Sequence, residues 1–339
     1  MESIVLPAEW HRQCCVQLTW PHKNTDFASR YDEAVACFVR LAQEISARTS
    51  LIIVCAHAHE VREQLQEHIN NAITFYEIPS NDVWARDHGG ISVFKRGMVY
   101  IHDFQFNGWG QKFPADLDTR ITKQLVQQNA FPHAEYIDCN DFVLEGGAIE
   151  SNGNGVLLTT SRCLLEKHRN PHLSRMQIEE RLRAYFGVHT ILWLNHGYLA
   201  GDDTDGHIDT LARFVNEDTI MYVQCTDIHD EHYEELHAME QELQSFRTEN
   251  NTPFTLVALP MAEAVYEQGQ RLPATYANFL ICNNAVLVPL YNTEKDALAL
   301  QVFKSVFPDY EIVGVDCSVL ISQHGSLHCV TMQYPEITF

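Results

Sequence analysis

The repeated alternation of helix-forming and strand-forming stretches is the feature that most constrains the fold of this chain. In the first pair, Tyr31, Val35 and Phe38 recur at helical spacing within 29–48, and the β-branched run Leu51–Cys55 follows them. The alternation then repeats four times, with helices near 116–129, 173–186, 231–247 and 294–307 and strands near 134–138, 189–194, 254–259 and 311–315. This pattern predicts an α/β fold.

A polar and usually glycine-bearing stretch follows each helix–strand pair and opens the next strand, at 81–90, 144–147, 205–209, 275–278 and 325–329. Modules of about 50–60 residues that repeat in this way predict a closed ring of five, in which equivalent turns meet at the axis. A single doubly wound sheet also gathers turns in its crevice, and the pattern leaves it open. No low-complexity linker divides the chain, so we expect one domain over 1–339. Strands near 10–19, 73–77, 91–95 and 98–104 and a helix over 59–70 complete the prediction.

The overall charge excludes several classes of partner. With 23 basic and 45 acidic residues the formal net charge is −22, which argues against nucleic acid or an anionic membrane surface. No apolar run approaches the length of about 18 residues that a membrane span needs. Because the N-terminus carries Glu2 and Pro7 where an export signal would be basic and then apolar, we expect a cytoplasmic protein.

The ten cysteines do not indicate a disulfide framework or a metal site. Cys37, Cys55, Cys225 and Cys282 lie within apolar periodic stretches, so we expect them to pack as reduced core residues. The chain has no Cys-x-x-Cys pair, which argues against a structural zinc site. Cys329 differs, because it follows the turn Gly325-Ser326 and precedes a short apolar run. A thiol in that place can face a cavity, although a buried core cysteine is the simpler interpretation of this octapeptide alone.

The polar turns contain five groups that make chemical sense together, namely Asp87, Glu145, His207, Asp209 and Cys329. A thiolate and an imidazole are the usual pair for covalent catalysis. Nearby carboxylates would repel an oxyanion, but they match a cationic electrophile such as a guanidinium, which they can grip bidentately. We therefore expect Cys329 to attack a guanidinium carbon and His207 to protonate the departing ammonia and then activate water.

Within this hypothesis, Asp87 and Asp209 hold the guanidinium nitrogens, and Glu145 orients the imidazole or stabilises its charge. The residues also have plainer interpretations. His207 could cap a turn, Glu145 could be solvated, and Asp87 could pair with Arg86. Asp209 lies two residues after His207, and on a strand both side chains would point to the same side. Trp84 and Trp109 could belong to the core or pack against the alkyl chain of a substrate.

Seven ordered motifs resemble the agmatine deiminase/bacterial peptidylarginine deiminase family of the guanidine-modifying superfamily. They run across nearly the whole chain at 84–87, 104–110, 144–150, 158–164, 206–209, 276–279 and 325–329. The resemblance implies a five-bladed α/β propeller (the pentein fold) with the site on its axis. It implies Cys329 as nucleophile, His207 as acid and base with Glu145 as its partner, and Asp87 and Asp209 as guanidinium ligands. No metal or organic cofactor is expected, and a homodimer is compatible with the family.

The resemblance also bears on the substrate. It implies a small cationic guanidine contacted by Trp84, Trp109, Gly325 and Asp203, the last in place of a family glutamate thought to meet the substrate's far amine. The chain departs from the family at Ala85 and at His88-Gly89, which leaves the substrate less certain than the chemistry. Because agmatine is cationic at both ends, the acidic 202–205 loop favours agmatine, giving N-carbamoylputrescine for polyamine biosynthesis. Free arginine, peptidylarginine, amidino transfer and an acidic binding protein without catalysis remain the alternatives.

Overall fold

A computed structural model describes residues 4–66 and 72–337 of the chain. The strands are β1 Ile4–Val5, β2 Gln13–Thr19, β3 Ser50–Cys55, β4 Ile73–Glu77, β5 Ile91–Lys95, β6 Met98–Gln105, β7 Ala134–Val143, β8 Ile149–Ser151, β9 Val156–Thr160, β10 Thr190–Leu194, β11 Ala212–Asn216, β12 Thr219–Gln224, β13 Thr255–Pro260, β14 Tyr266–Glu267, β15 Gln270–Arg271, β16 Leu280–Cys282, β17 Ala285–Leu290, β18 Glu311–Asp316 and β19 Thr331–Pro335. The α-helices are α1 Tyr31–Ser46, α2 Ala58–Leu65, α3 Ala85–His88, α4 Gly108–Gln111, α5 Ile121–Gln127, α6 Ser161–Leu164, α7 Arg175–Phe186, α8 Tyr233–Ser245, α9 Lys295–Val306 and α10 Ser318–Ile321. The predicted α/β class is confirmed.

Five small sheets share one plan. Their strand orders are β1-β5-β6-β7, β8-β9-β10, β11-β12-β13, β16-β17-β18 and β19-β2-β3-β4, and β14 with β15 forms a separate hairpin. In each of the five an antiparallel pair is followed by a parallel pair, as in β5 with β6 and β6 with β7. Parallel neighbours need a crossover, which α5, α7, α8, α9 and α1 supply. The unit of the fold is therefore strand, strand, helix, strand.

The fifth sheet joins the two ends of the chain. Strand β19 pairs antiparallel with β2, and Thr331 lies opposite Leu18. The turn at 325–330 is thereby tied to the N-terminal segment through backbone hydrogen bonds. A short strand that starts at Thr331 agrees with the sequence prediction for the residues after Cys329.

Burial explains which residues form these elements. All five residues of β9 are buried, as expected for a strand that lies between layers of helix and loop. Helix α7 begins at a capping box of Ser174 and Gln177 and ends at Gly187, which has a φ of 68° that favours glycine. The predicted helix at 116–129 is shorter, since Ile121–Gln127 is preceded by a 3-10 turn at Asp118–Arg120. The helix predicted over 59–70 is observed as Ala58–Leu65, and its predicted end falls at 67–71, outside the described residues.

A tight turn lies just before one strand of each shared-plan sheet, namely before β5, β8, β11, β16 and β19. These turns are the one-turn helix α3, 3-10 turns at Gly146–Ala148 and Ile208–Thr210, and turns near 276–277 and 327–330. The expectation that His207 and Asp209 lie on a strand was wrong, because β11 begins only at Ala212. Through residues 4–66 and 72–337, no helix is both long and apolar enough to cross a bilayer.

Candidate active site

Cys329 lies in the turn before β19, buried against two side chains from other turns. Its thiol donates to Oδ1 of Asn278 at 3.4 Å, and Asp209 Oδ2 is 4.0 Å from the sulfur. The same amide oxygen accepts from the backbone N–H groups of His328 and Cys329 at 2.9 Å and 3.2 Å. Burial and the charges of Asp209 and Asp87 raise the pKa of Cys329 well above its ordinary value. The free protein therefore holds a neutral thiol.

Asp87 is fixed by two donors at the end of α3. Trp109 Nε1 donates to Oδ2 at 2.8 Å, and the backbone N–H of Gly147 donates to Oδ1 at 3.1 Å. Burial raises the pKa of Asp87 to about 6, although His207 acts in the opposite direction. The alternative that Asp87 pairs with Arg86 is wrong, since the Arg86 guanidinium lies instead beside Glu9, 3.7 Å away.

His207 is fully buried beside Asp87, with Nδ1 3.5 Å from Oδ1 of that residue. Neither ring nitrogen has a hydrogen-bond partner within the described part of the chain. Burial disfavours the charged ring, but Asp87, Cys163 and Glu145 outweigh it and raise the pKa of His207 to about 10. The imidazole is therefore positioned and charged as a proton donor.

Glu145 is held by an arginine that the sequence interpretation missed. Both carboxylate oxygens accept from Nε of Arg169 at 3.0 Å, and both side chains are fully buried. Arg169 also donates to Asp205 Oδ2 at 2.8 Å and to the carbonyl of Thr204 at 2.9 Å. Glu145 thus acts on His207 through its charge, and Arg169 fixes the orientation of its carboxylate. The Arg-Asn-Pro segment at 169–171 carried no spacing that linked it to Glu145.

Glu145, Cys163 and His207 bring possible ligand atoms within 4.8 Å of one another. A thiolate, an imidazole and a carboxylate are a donor set that could bind zinc. However, Arg169 already holds both oxygens of Glu145, and a metal ion would have to displace that guanidinium. We assign this cluster to the control of the imidazole. Cys163 lies in the 158–164 motif but was not selected as a site residue from the sequence.

A narrow cavity opens above the sulfur. It is lined by Cys329 and Asp87 and by the predicted substrate contacts Trp84, Trp109, Gly325 and Asp203. Gly325 is needed there, because a Cβ atom would lie 2.1 Å from Cζ3 of Trp84. Asp26 lines the cavity as well and was not selected from the sequence. Among the described residues no lysine or arginine lines it.

Solved structures match this chain over nearly its whole length. A cysteine-to-serine variant of agmatine deiminase from C. jejuni, with substrate bound, is 36% identical and superposes with a TM-score of 0.92, covering 99% of this chain and 97% of that one. A structure from Porphyromonas gingivalis, provisionally named an arginine deiminase, is 52% identical with a TM-score of 0.94 and covers 98% of each chain.

Fold and site together define a hydrolase that acts on the C–N bond of a guanidine. The profile of the Porphyromonas-type peptidyl-arginine deiminase family matches residues 5–335, and the chain belongs to that family. Among its curated relatives, agmatine deiminase of Medicago truncatula is 32% identical over 371 residues, covering 98% of this chain and 96% of the relative. The resemblance drawn from the sequence motifs is confirmed.

Proposed function

We propose that this protein hydrolyses the guanidinium group of agmatine to a ureido group, with release of ammonia. The observation that carries the proposal is the distribution of acids along one cavity. Asp87, Asp26 and Asp203 line the cavity together with Cys329, and Asp209, which does not line it, has its Oδ2 4.0 Å from the sulfur. A substrate that is cationic at both ends matches this arrangement, whereas the carboxylate of free arginine would need a basic partner.

The reaction begins when the guanidinium enters between Asp87 and Asp209 and its charge offsets theirs. The thiol of Cys329 then loses its proton to solvent, because the bound cation stabilises the thiolate. The sulfur forms a bond to the guanidinium carbon, and His207 gives its proton to one amino nitrogen. That nitrogen leaves as ammonia, and a cationic thiouronium remains on Cys329.

In the hydrolysis of this intermediate His207 acts as a base, whereas it acted as an acid in the first step. Neutral His207 takes a proton from water, and the hydroxide adds to the carbon. The C–S bond breaks, the thiolate leaves, and the ureido product forms as the hydroxyl proton is lost to the released ammonia. Agmatine and water give N-carbamoylputrescine and ammonium. Each step uses a group within the buried cluster of Cys329, His207, Asp87 and Asp209.

Deimination of arginine, free or within a peptide, is the second candidate. The 52% identity to a structure provisionally named an arginine deiminase favours it. In the cavity His324 is the group that could approach a carboxylate, but its Nδ1 donates to the carbonyl of Gly201 at 2.6 Å. Measuring the ureido product from agmatine, arginine and a blocked arginine peptide separates the candidates. Agmatine should give the largest kcat/KM, and a larger value for either arginine compound would refute the proposal.

We also propose that the five shared-plan sheets are the blades of a five-bladed propeller in one catalytic domain over 1–339. Two observations support this arrangement. In each sheet one strand follows closely after a turn, and Asp87, Glu145, His207 with Asp209, Asn278 and Cys329 lie in or next to those five turns. The fifth sheet combines β19 with β2, which joins the ends of the chain. A cytoplasmic location and a homodimer complete the proposal.

A further inference from the structure

His328 joins Asp209 to a second carboxylate that the reaction steps do not use. Its Nδ1 is 2.7 Å from Asp209 Oδ2, and its Nε2 is 2.6 Å from Glu9 Oε2. All three side chains are buried. Glu9 comes from the segment between β1 and β2, where Oε1 also accepts from the backbone N–H of Ile281 at 2.8 Å. The N-terminal segment therefore reaches the residue that precedes the nucleophile.

Glu9, His328 and Asp209 form a hydrogen-bonded bridge, and its two short contacts determine how many protons the His328 ring carries. A contact of this length between a ring nitrogen and a carboxylate oxygen needs one proton between the atoms. Burial, Arg213 and Arg86 lower the pKa of His328 below its ordinary value, and the opposing charges of Glu9 and Asp209 offset this only in part. A neutral ring would nevertheless aim a lone pair at one of the two carboxylates. The geometry is that of an imidazolium between two anions.

The other charged groups around the bridge are themselves paired. Arg213 of β11 contacts Glu9 at 2.9 Å and Glu150 of β8 at 2.6 Å. Arg86 of α3 lies 3.7 Å from Glu9, with its Nε 3.5 Å from the carbonyl of His328. Burial raises the pKa of Glu150 to about 7, so above that pH, and with His328 charged, three cations balance the anions Glu9, Glu150 and Asp209. A proton lost from His328 would therefore leave this buried cluster with a net negative charge.

The bridge also determines which oxygen of Asp209 is free. Oδ2 accepts from His328, while Oδ1 is buried and has no hydrogen-bond partner among the described residues. A buried carboxylate oxygen without a donor is costly, and a guanidinium N–H would satisfy it. We propose that Glu9 and His328 are positioning residues, which keep Asp209 ionised and direct its free oxygen toward the guanidinium. This inference rests on the proposed function only for the identity of that substrate.

The test compares the full chain with Glu9→Gln, which keeps the shape of the side chain but removes its charge. In the wild type at pH 8, ¹⁵N NMR should show both ring nitrogens of His328 protonated, with His328→Gln assigning the signals. In Glu9→Gln the ring should be neutral. The KM for agmatine should rise about tenfold with kcat changed less than about threefold, which corresponds to weakening one charged hydrogen bond. The acid limb of kcat/KM should move to higher pH, because Asp209 loses its cationic neighbour.

His102→Gln is the matched control, since His102 is buried in β6 and burial lowers its pKa to about 4. This variant should leave KM and the pH profile unchanged. A neutral His328 in the wild type, or a Glu9→Gln variant with wild-type KM and pH profile, would overturn the inference. If the wild type does not turn over agmatine, the proposed function fails. The NMR result and the affinity of Cys329→Ser for methylguanidine, with and without Glu9→Gln, then still decide the role of the bridge.

Discussion

The backbone of Gly147 lies against the ring of His207, so closely that a Cβ atom at position 147 would be 2.6 Å from Nδ1. The same atom would lie 2.8 Å from Asp87 Oδ1 and 3.2 Å from Asp209 Oδ2. Three side chains of the proposed catalytic set thus converge on a position where any Cβ atom would force one of them to move. This convergence brings Asp87 together with His207 and Asp209, which follow it by 120 and 122 positions in the sequence.

Gly147→Ala should therefore abolish turnover while leaving the fold intact. The added methyl group must displace His207 or Asp87, and misplacement of a reacting group by about 1 Å can cost about 100-fold in rate. The measurement is kcat for agmatine together with the thermal unfolding midpoint. Gly269→Ala, at a turn where a Cβ would meet nothing within 4 Å but φ is 81°, is the control for backbone strain without a clash, and it should lower the unfolding midpoint without lowering kcat. Activity near that of the wild type in Gly147→Ala would contradict the packing described here.

The Cys329 thiol of the free protein should react slowly with iodoacetamide at neutral pH. Since burial and two acids raise its pKa, the alkylation rate should still be increasing at pH 9.0, the ordinary thiol value. Asp87→Asn removes one of the negative charges and should shift the titration to lower pH. Cys329→Ser identifies the signal, because the other cysteines remain in that variant. A plateau below pH 9.0 in the wild type would show that the resting sulfur is already ionised.

Asp203 and Asp26 should interact with the amine end of the substrate and should not affect the reaction of its guanidinium. Asp203→Asn and Asp26→Asn should each raise the KM for agmatine about three- to tenfold, as expected for a partly exposed charge pair. Neither should change the kinetics of a simple alkylguanidine that lacks the amine. The comparison of the two substrates within each variant is the control. Equal losses on both substrates would place these acids in the chemical step instead.

Arg169→Met should destabilise the fold and lower activity together. Removing one partner of a buried ion pair costs about 3–5 kcal/mol, because Glu145 would remain buried without its donor. Urea denaturation measures the loss in the free energy of unfolding. The double variant Arg169→Met with Glu145→Gln should recover part of that stability without recovering kcat. If the single variant is as stable as the wild type, Glu145 does not depend on Arg169.

Local pattern was enough to predict the repeated units and the five turns. Helical spacing at Tyr31, Val35 and Phe38 and the β-branched run of β3 report burial directly, and both elements are observed. The turn residues could be selected because polar, usually glycine-bearing stretches with ionisable groups recur at the same point of each helix–strand module. The local conformation of Ile208–Thr210 could not be read in this way, since a 3-10 turn and a strand both allow His207 and Asp209 to converge.

The missed residues are those whose role depends on a distant partner. Asn278 contacts Cys329 across 51 positions, and Glu9 contacts His328 across 319. Arg169 lies in a segment that by itself resembles a solvated loop, yet it is buried against Glu145. No periodicity records such pairs, because they are created when separate turns meet. The reacting groups could be proposed from the sequence, but the residues that hold those groups in place could be identified only from the three-dimensional structure.

The covalent step is the central claim, and isotope labelling tests it directly. The wild-type protein is mixed with agmatine carrying ¹³C in the guanidinium carbon, quenched with acid during turnover, digested, and examined by mass spectrometry. We expect the labelled carbon on the peptide that contains Cys329, and its absence from every peptide of Cys329→Ser. Steady formation of the ureido product with no label on Cys329 at any quench time, in a protein that traps the intermediate of a known thiol deiminase under the same conditions, would contradict the account.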